Sequence, residues 1–347
     1  MRTHHPLRAA LVFGAAGVFV RGAASASPVD VLRKALRGPA VPYEGVQETT
    51  VYSDAGSTVS QVFVQSNGKG AFRREFKTGP SAGVVVLQIG HTVWQTASDG
   101  AFRRLPSGGR QDPEEVARSI VGNYNVSVSR GKIILGRKTA AISITARYRY
   151  NPSRKLVIDE ATGLILQDEL FAPGGAKRSS TVFIRLSFKP QAATLFLQPA
   201  ATGLAPGFGP ASFEARDSEE AVLRETGRAP ARPSQIPPGY RVVAFGVVTT
   251  GRGGKTAAVR FSDGLAAFTV FTRPGGPRVP GPRGWGGGGG QGRRGHGPGG
   301  PPWRVGELQV TETRQQAMVT CTSRRASYVL IGDLSADELQ RIARSLP

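Results

Sequence analysis

The chain is poor in the residues that carry most protein chemistry. Its 347 residues include one cysteine, Cys321, and four histidines. A lone thiol makes no internal disulfide, so burial of apolar side chains has to hold the fold. Cys321 lies in the strand-like run Ala317-Met318-Val319-Thr320-Cys321-Thr322, where packing accounts for it better than reactivity. His4 and His5 fall in an N-terminal leader and His296 in a glycine-rich stretch, which leaves His91 in folded sequence. A Ser-His-Asp or Cys-His mechanism would rest wholly on His91, and a metal site built on two histidines lacks its second. His91 itself stands in Ile89-Gly90-His91-Thr92, which reads as an exposed hairpin turn. Nucleophile elbows, phosphate-binding glycine loops and zinc spacings are missing too. Adjacent carboxylates at 114–115, 159–160, 168–169 and 219–220 fall on helix starts, turns or solvated faces, so two-carboxylate hydrolysis has no support. The expectation is a protein without catalytic residues, metal or cofactor.

Long apolar runs are equally scarce. Arg2 and Arg8 precede an apolar run over 9–20, and Ala24-Ser25-Ala26 supplies small residues for a signal peptidase. Residues 1–26 are therefore read as a cleaved export signal. No later segment approaches the roughly 20 apolar residues a spanning helix needs, and no cysteine follows the signal to carry a lipid anchor. The expected location is the periplasm. Acidic residues are the minority: 24 Asp and Glu face 45 Lys and Arg, a net charge of +21 that becomes +18 without the leader. The excess is spread over both halves, with 23 basic and 13 acidic residues over 27–190 and 19 and 11 after it. Such a surface attracts anionic surfaces or an acidic partner segment, and salt weakens that attraction over a Debye length of about 8–10 Å. An exported chain makes nucleic acid an improbable partner.

What is present is mostly strand. Period-two patterning over 43–105 is broken by turn signals, the sharpest at Asn67-Gly68. Gly70-Ala71-Phe72-Arg73-Arg74 is echoed by Gly100-Ala101-Phe102-Arg103-Arg104; neither face of these runs is purely apolar, which places both near sheet edges. Asp112-Pro113-Glu114-Glu115 starts a helix running to about residue 121. Further strands are expected at 133–135, 140–150, 155–158, 164–170 and 180–188, completing a first domain over 27–190. Residues 191–235, rich in Pro, Ala and Gly, read as a linker with one short helix. A second domain over 236–347 interleaves strands at 242–248, 256–261, 266–271, 307–310, 317–322 and 327–331 before a last helix. Ser335-Ala336-Asp337-Glu338 offers that helix a capping box, with Leu339, Ile342, Ala343 and Leu346 on one face. The stretch 274–302 holds 14 Gly, 7 Pro and 4 Arg in 29 residues. It has too little apolar surface to offset the entropy of ordering, so it reads as a disordered insertion.

Several segments, in order, resemble the MucB/RseB family, whose N-terminal domain is similar to the carriers LolA and LolB. They are Gly90-His91-Thr92-Val93-Trp94 with Phe102-Arg103-Arg104-Leu105, Asn123-Tyr124-Asn125-Val126, the run from Leu135-Gly136-Arg137 to Ala140, and the run from Leu156 to Leu166. The second domain adds Ile236-Pro237-Pro238-Gly239-Tyr240, Ser262-Asp263-Gly264-Leu265 and Ile331-Gly332-Asp333-Leu334. Arg147-Tyr148-Arg149-Tyr150 departs from the pattern. The resemblance implies a mainly β (α+β) protein: a LolA-like half-open antiparallel β-barrel with helices, joined to a smaller C-terminal α/β domain. It implies an extracytoplasmic regulator that binds a membrane-anchored anti-sigma factor, with lipid or lipoprotein acyl chains as the other partner class. It also implies an apolar cavity in the first domain, to which Phe72, Trp94 and Leu166 contribute as bulky residues on its strands.

Overall fold

The computed structural model describes residues 27–105, 112–200, 213–249, 254–274, 308–313, 315–323 and 326–347. Residues 1–26, read as an export signal, and nearly all of the 274–302 stretch, read as an insertion, lie outside them.

The first domain opens with helix α1 (Pro28–Arg37), whose Ser27 side chain caps the Val29 amide. Six strands follow as a meander: β1 (Tyr43–Ser53), β2 (Gly56–Ser66), β3 (Ala71–Phe76), β4 (Val85–Ile89), β5 (Thr92–Thr96) and β6 (Phe102–Arg104). At Asn67 the side chain accepts the Lys69 and Ala71 amides, which closes the β2–β3 turn. Helix α2 (Pro113–Asn123) has Asp112 as its cap and Pro113 at its first position, as the sequence implied. It runs straight into β7 (Tyr124–Arg130), then β8 (Thr139–Ala146), β9 (Ser153–Asp159), β10 (Ile165–Phe171) and β11 (Lys177–Ser187).

These eleven strands form one antiparallel sheet in the order β6-β5-β4-β3-β2-β1-β11-β10-β9-β8-β7. β6 and β7 end it without pairing, so the barrel is half-open. Helices α1 and α2 pack on the β7–β9 side, where Leu32, Ala35 and Ile120 meet Tyr124, Ile142, Ile144, Leu156 and Ile158. A second cluster, Tyr43, Val62, Val64, Ile134, Leu164, Leu166 and Phe183, fills the middle of the sheet.

The second domain comprises β12 (Phe213–Arg216), α3 (Glu219–Thr226), β13 (Arg241–Thr249), β14 (Lys255–Ser262), β15 (Ala267–Pro274), β16 (Leu308–Glu312), β17 (Ala317–Thr322), β18 (Ala326–Gly332) and α4 (Ala336–Arg344). Its seven strands run β12-β13-β14-β15-β18-β17-β16, all antiparallel. β18 is buried on both faces: Tyr328 and Leu330 pack with Leu339 and Ile342 of α4, while Val329 and Ile331 pack with Phe213 and Phe271. Cys321 is buried in the α4 cluster, and burial pushes its thiol up to about 11.

Four local readings need correction. Residues 213–226, read as linker with one short helix over 213–225, supply β12 and α3 to the second domain, the helix starting only at Glu219; a four-residue strand is too short to show a period, and Phe213 and the fully buried Val222 hold the pair down. The strand expected at 133–135 is a turn, and β7 starts nine residues earlier, directly after α2. β3, expected near an edge, is interior, because Phe72 packs on the central cluster; its echo β6 does lie at the edge. The capping box at Ser335 does not form. The amide that Glu338 would take donates instead to the Tyr150 carbonyl of the first domain at 3.2 Å, and Glu338 binds Arg341 through both oxygens.

Candidate functional site

Two places combine burial with unusual chemistry: the junction between the sheets and a cleft beneath α1.

The junction centres on Asp263, which is wholly buried. Its Oδ1 accepts the Leu265 amide at 3.0 Å and the Ala266 amide at 2.8 Å, which folds the β14–β15 turn around it. Its Oδ2 accepts the Tyr124 hydroxyl at 2.7 Å and the Asn151 amide at 2.9 Å, both from the first domain. Asn151 in turn accepts the Tyr240 hydroxyl at 3.0 Å. From the end of α2, the Asn123 side chain donates to the Asp263 and Gly239 carbonyls. Burial pushes the Asp263 carboxyl above its usual range against the pull of these donors. Burial, with the nearby Asp263 charge, also keeps the Tyr124 and Tyr240 hydroxyls protonated. Gly264 adopts φ +104°, and a Cβ there would stand 2.8 Å from the Ser119 Cβ and 3.0 Å from the Ile120 amide of α2, so the turn reaches the helix only as glycine. Around this centre Arg241 pairs with Glu115, and the buried Arg178 donates to the Asp333 carbonyl at 3.1 Å. The departing segment at 147–150 serves the same end. Arg147 caps the last carbonyls of α2, at Gly122 and Val121, and Tyr150 packs on the second core. The chemistry of this node is adhesion: the Asp263 carboxylate, the Asn151 side chain and the Tyr124 and Tyr240 hydroxyls are all bonded, and those bonds join the two domains.

The cleft is different. About 750 Å³ of space lies between α1 (Asp30, Val31, Lys34), the ends of β7 and β8, and Ile158 and Glu160, within the roughly 300–1,000 Å³ range of ligand pockets. Val31, Val128, Ala140 and Ile158 make its apolar wall, and Lys34, Arg130 and Lys138 stand at its rim. Lys34 is occupied, donating to the Glu160 and Ala161 carbonyls at 2.6 and 3.1 Å. Below the rim Asp159 is buried, and burial alone would raise its carboxyl. The two bonds from Arg137 at 2.9 and 3.0 Å, with those from Thr162, win and hold it below the ordinary range. The β7–β8 connection ends in a tight turn whose central residues, Leu135 and Gly136, have φ +49° and +74°. A leucine in the left-handed region costs about 1–2 kcal/mol, and Leu135 is the only non-glycine residue there among those described.

Of the residues expected to line a cavity, Leu166 is buried in the central cluster and Phe72 packs against it. Trp94 is buried on β5, opposite Leu87 and Arg104, outside that cluster. The lining of the α1 cleft is a separate set. None of it was singled out beforehand as a site; the signal available was the alternation of Val126 and Val128 along β7. His91 lies exposed in the β4–β5 turn.

No protein-family model matches the sequence, and no curated protein matches it. Solved structures do match nearly the whole of it. The MucA/MucB complex of Pseudomonas aeruginosa aligns at 14% identity and TM-score 0.58, covering 92% of this chain and 97% of that one. MucB in complex with MucA(peri) aligns at 14% identity and TM-score 0.55, again covering 92% and 97%. The chain has the fold of MucB, both domains included, as the ordered segments of the sequence implied.

Proposed function

We propose that this chain is a periplasmic regulator that binds the extracytoplasmic part of a membrane-anchored anti-sigma factor and thereby controls an envelope-stress sigma factor. The observation that carries the reading is the match of the two-domain fold to MucB, which was solved in complex with MucA and with MucA(peri). The surface charge fits such a role: a basic protein captures an acidic segment quickly, and a desolvated apolar centre then retains it. No helix among the described residues is long and apolar enough to cross a membrane. The test uses the purified chain and the extracytoplasmic part of the anti-sigma protein encoded beside a sigma factor in the same genome. A complex whose association slows as salt rises, with dissociation nearly unchanged, is expected. Absence of a complex at physiological salt would overturn the reading.

The cleft beneath α1 favours a second reading, a lipid or lipoprotein carrier of the LolA type with no sigma-factor role. Its volume and apolar wall suit an acyl chain. Phe72, Trp94 and Leu166 then belong to the apolar interior that a longer chain would reach. Mass spectrometry of material copurified from envelope extracts separates the two: acyl lipid without a membrane-protein partner supports the carrier.

A further inference from the structure

The tip of the β7–β8 connection inverts the usual placement of side chains. Ile133 is 72% exposed and Leu135 44%, and Ile133 is the most exposed large apolar residue among those described. They are held outward by design of the turn. Ile134 between them is buried in the central cluster, while Leu135 follows it in the left-handed conformation of the turn, at φ +49°. The turn is stiff as well. Ile134 and Arg137 exchange both backbone bonds at 3.3 and 2.9 Å, the Thr139 hydroxyl donates to the Lys132 carbonyl at 2.5 Å, and Arg137 is locked on Asp159.

Around these two side chains stand Arg130, Lys132 and Lys138, all exposed. Their charged ends make no hydrogen bond or ion pair among the described residues. Two carboxylates are near, Asp30 and Glu160 on the far wall of the cleft, and Asp30 is paired with Arg33 at 3.1 Å. Ile133 is also part of the cleft lining, so the tip and the cavity mouth are continuous.

We propose that this tip docks the protein on the surface of an anionic phospholipid bilayer. Ile133 and Leu135 enter the boundary between head groups and acyl chains, and Arg130, Lys132 and Lys138 meet lipid phosphates. A narrow tip with two apolar side chains is far too small for a specific protein interface, which buries about 1,200–2,000 Å². A bilayer needs no complementary groove, and basic residues around inserted apolar ones are what its anionic surface favours. The cleft then opens at the membrane, where an acyl chain can slide past Ile133 to the wall formed by Val31, Val128 and Ile158. This goes beyond the anti-sigma reading and does not rest on it.

The test is cosedimentation of residues 27–347 with vesicles of phosphatidylethanolamine and phosphatidylglycerol, with phosphatidylcholine vesicles as the neutral control. Wild type should bind the anionic vesicles and leave the neutral ones. The double variant Ile133→Ser with Leu135→Asn should bind at least tenfold more weakly at physiological salt, with an unchanged or higher Tm, because asparagine suits the left-handed turn better than leucine. Replacing Arg130, Lys132 and Lys138 by Gln should weaken binding to a similar extent. Equal binding by the double variant would overturn the proposal and assign vesicle binding to the general charge; equal binding to neutral vesicles would overturn the role of the cations. A second readout does not depend on affinity. An environment-sensitive dye on an Ile133→Cys variant, in a Cys321→Ser background, should shift to the blue on anionic vesicles, and no shift would overturn insertion.

Discussion

The junction and the cleft are built from opposite materials. At the junction Asp263, Asn151, Tyr124 and Tyr240 are buried polar groups bonded to one another, and a glycine is required where the β14–β15 turn meets α2. At the cleft the wall is aliphatic, the rim is cationic, and about 750 Å³ is unfilled. A fully bonded polar node tolerates no change, since each partner removed strands another in a dry place. An apolar wall around open space tolerates many. The difference teaches where evolution of a ligand can proceed in this fold without loss of the domain arrangement.

The largest effect is expected at Asp263. Asp263→Ala strands the Tyr124 hydroxyl, the Asn151 amide and two backbone amides, and should cost about 3 kcal/mol or more. Urea unfolding would show it, as a lower midpoint or as separate transitions for the two domains. A loss under about 1 kcal/mol would mean that the node is not what holds them. Gly264→Ala should cost about 2 kcal/mol, because its Cβ meets α2 at 2.8 Å and its φ is +104°. Tyr124→Phe in the same background should then add little, the node being already open.

The cleft should answer the other way. Val128→Phe places bulk into open space, so stability should move by less than about 1 kcal/mol while uptake of a fluorescent fatty acid falls severalfold. Uptake unchanged would remove the cleft from consideration as a ligand site. At the rim of the junction, Arg241→Ala removes an exposed pair with Glu115 and should cost no more than about 0.5–1 kcal/mol, less in high salt. That contrast with Asp263 separates the buried centre from its solvated edge.

The smallest effect lies away from both. Arg216 and then Lys255 hold the Glu225 carboxyl down to about 2, below its ordinary 4.5. The folded state therefore binds fewer protons than the unfolded state across that window, so the contribution is complete above pH 4.5 and is lost as pH falls towards about 2. Partial exposure keeps it under about 1 kcal/mol. In Glu225→Gln the slope of stability against pH between 4.5 and 2 should be shallower than in wild type.

Much of this fold was legible because its signals are local. Asp112-Pro113 starts α2 through bonds within one turn, Asn67-Gly68 closes a hairpin within five residues, and β13 to β18 repeat the apolar pattern of the second domain. The motifs at 123–126, 236–240 and 262–265 were legible as segments, but not as one object. They meet across sequence separations of 139 residues, from Tyr124 to Asp263, and 116 residues, from Asn123 to Gly239. The capping box failed for the same reason, since Tyr150 reached the Ser335 amide first. Phe72, Trp94 and Leu166 were bulky and strand-borne, which is what a core demands as much as a cavity, and nothing in one strand says which side of it is filled.

The sequence by itself determined the strand content, the single turns and caps, the unpaired thiol, the charge of +21 and the scarcity of histidine, because each depends on residue type and near neighbours. Only the tertiary structure decided that Asp263 is an interdomain anchor, that β3 is interior, and that Ile133 and Leu135 face outward beside an open cleft. Those facts depend on which distant surfaces exclude water together. Burial is a property of the assembled sheets, and no short stretch of chain carries it.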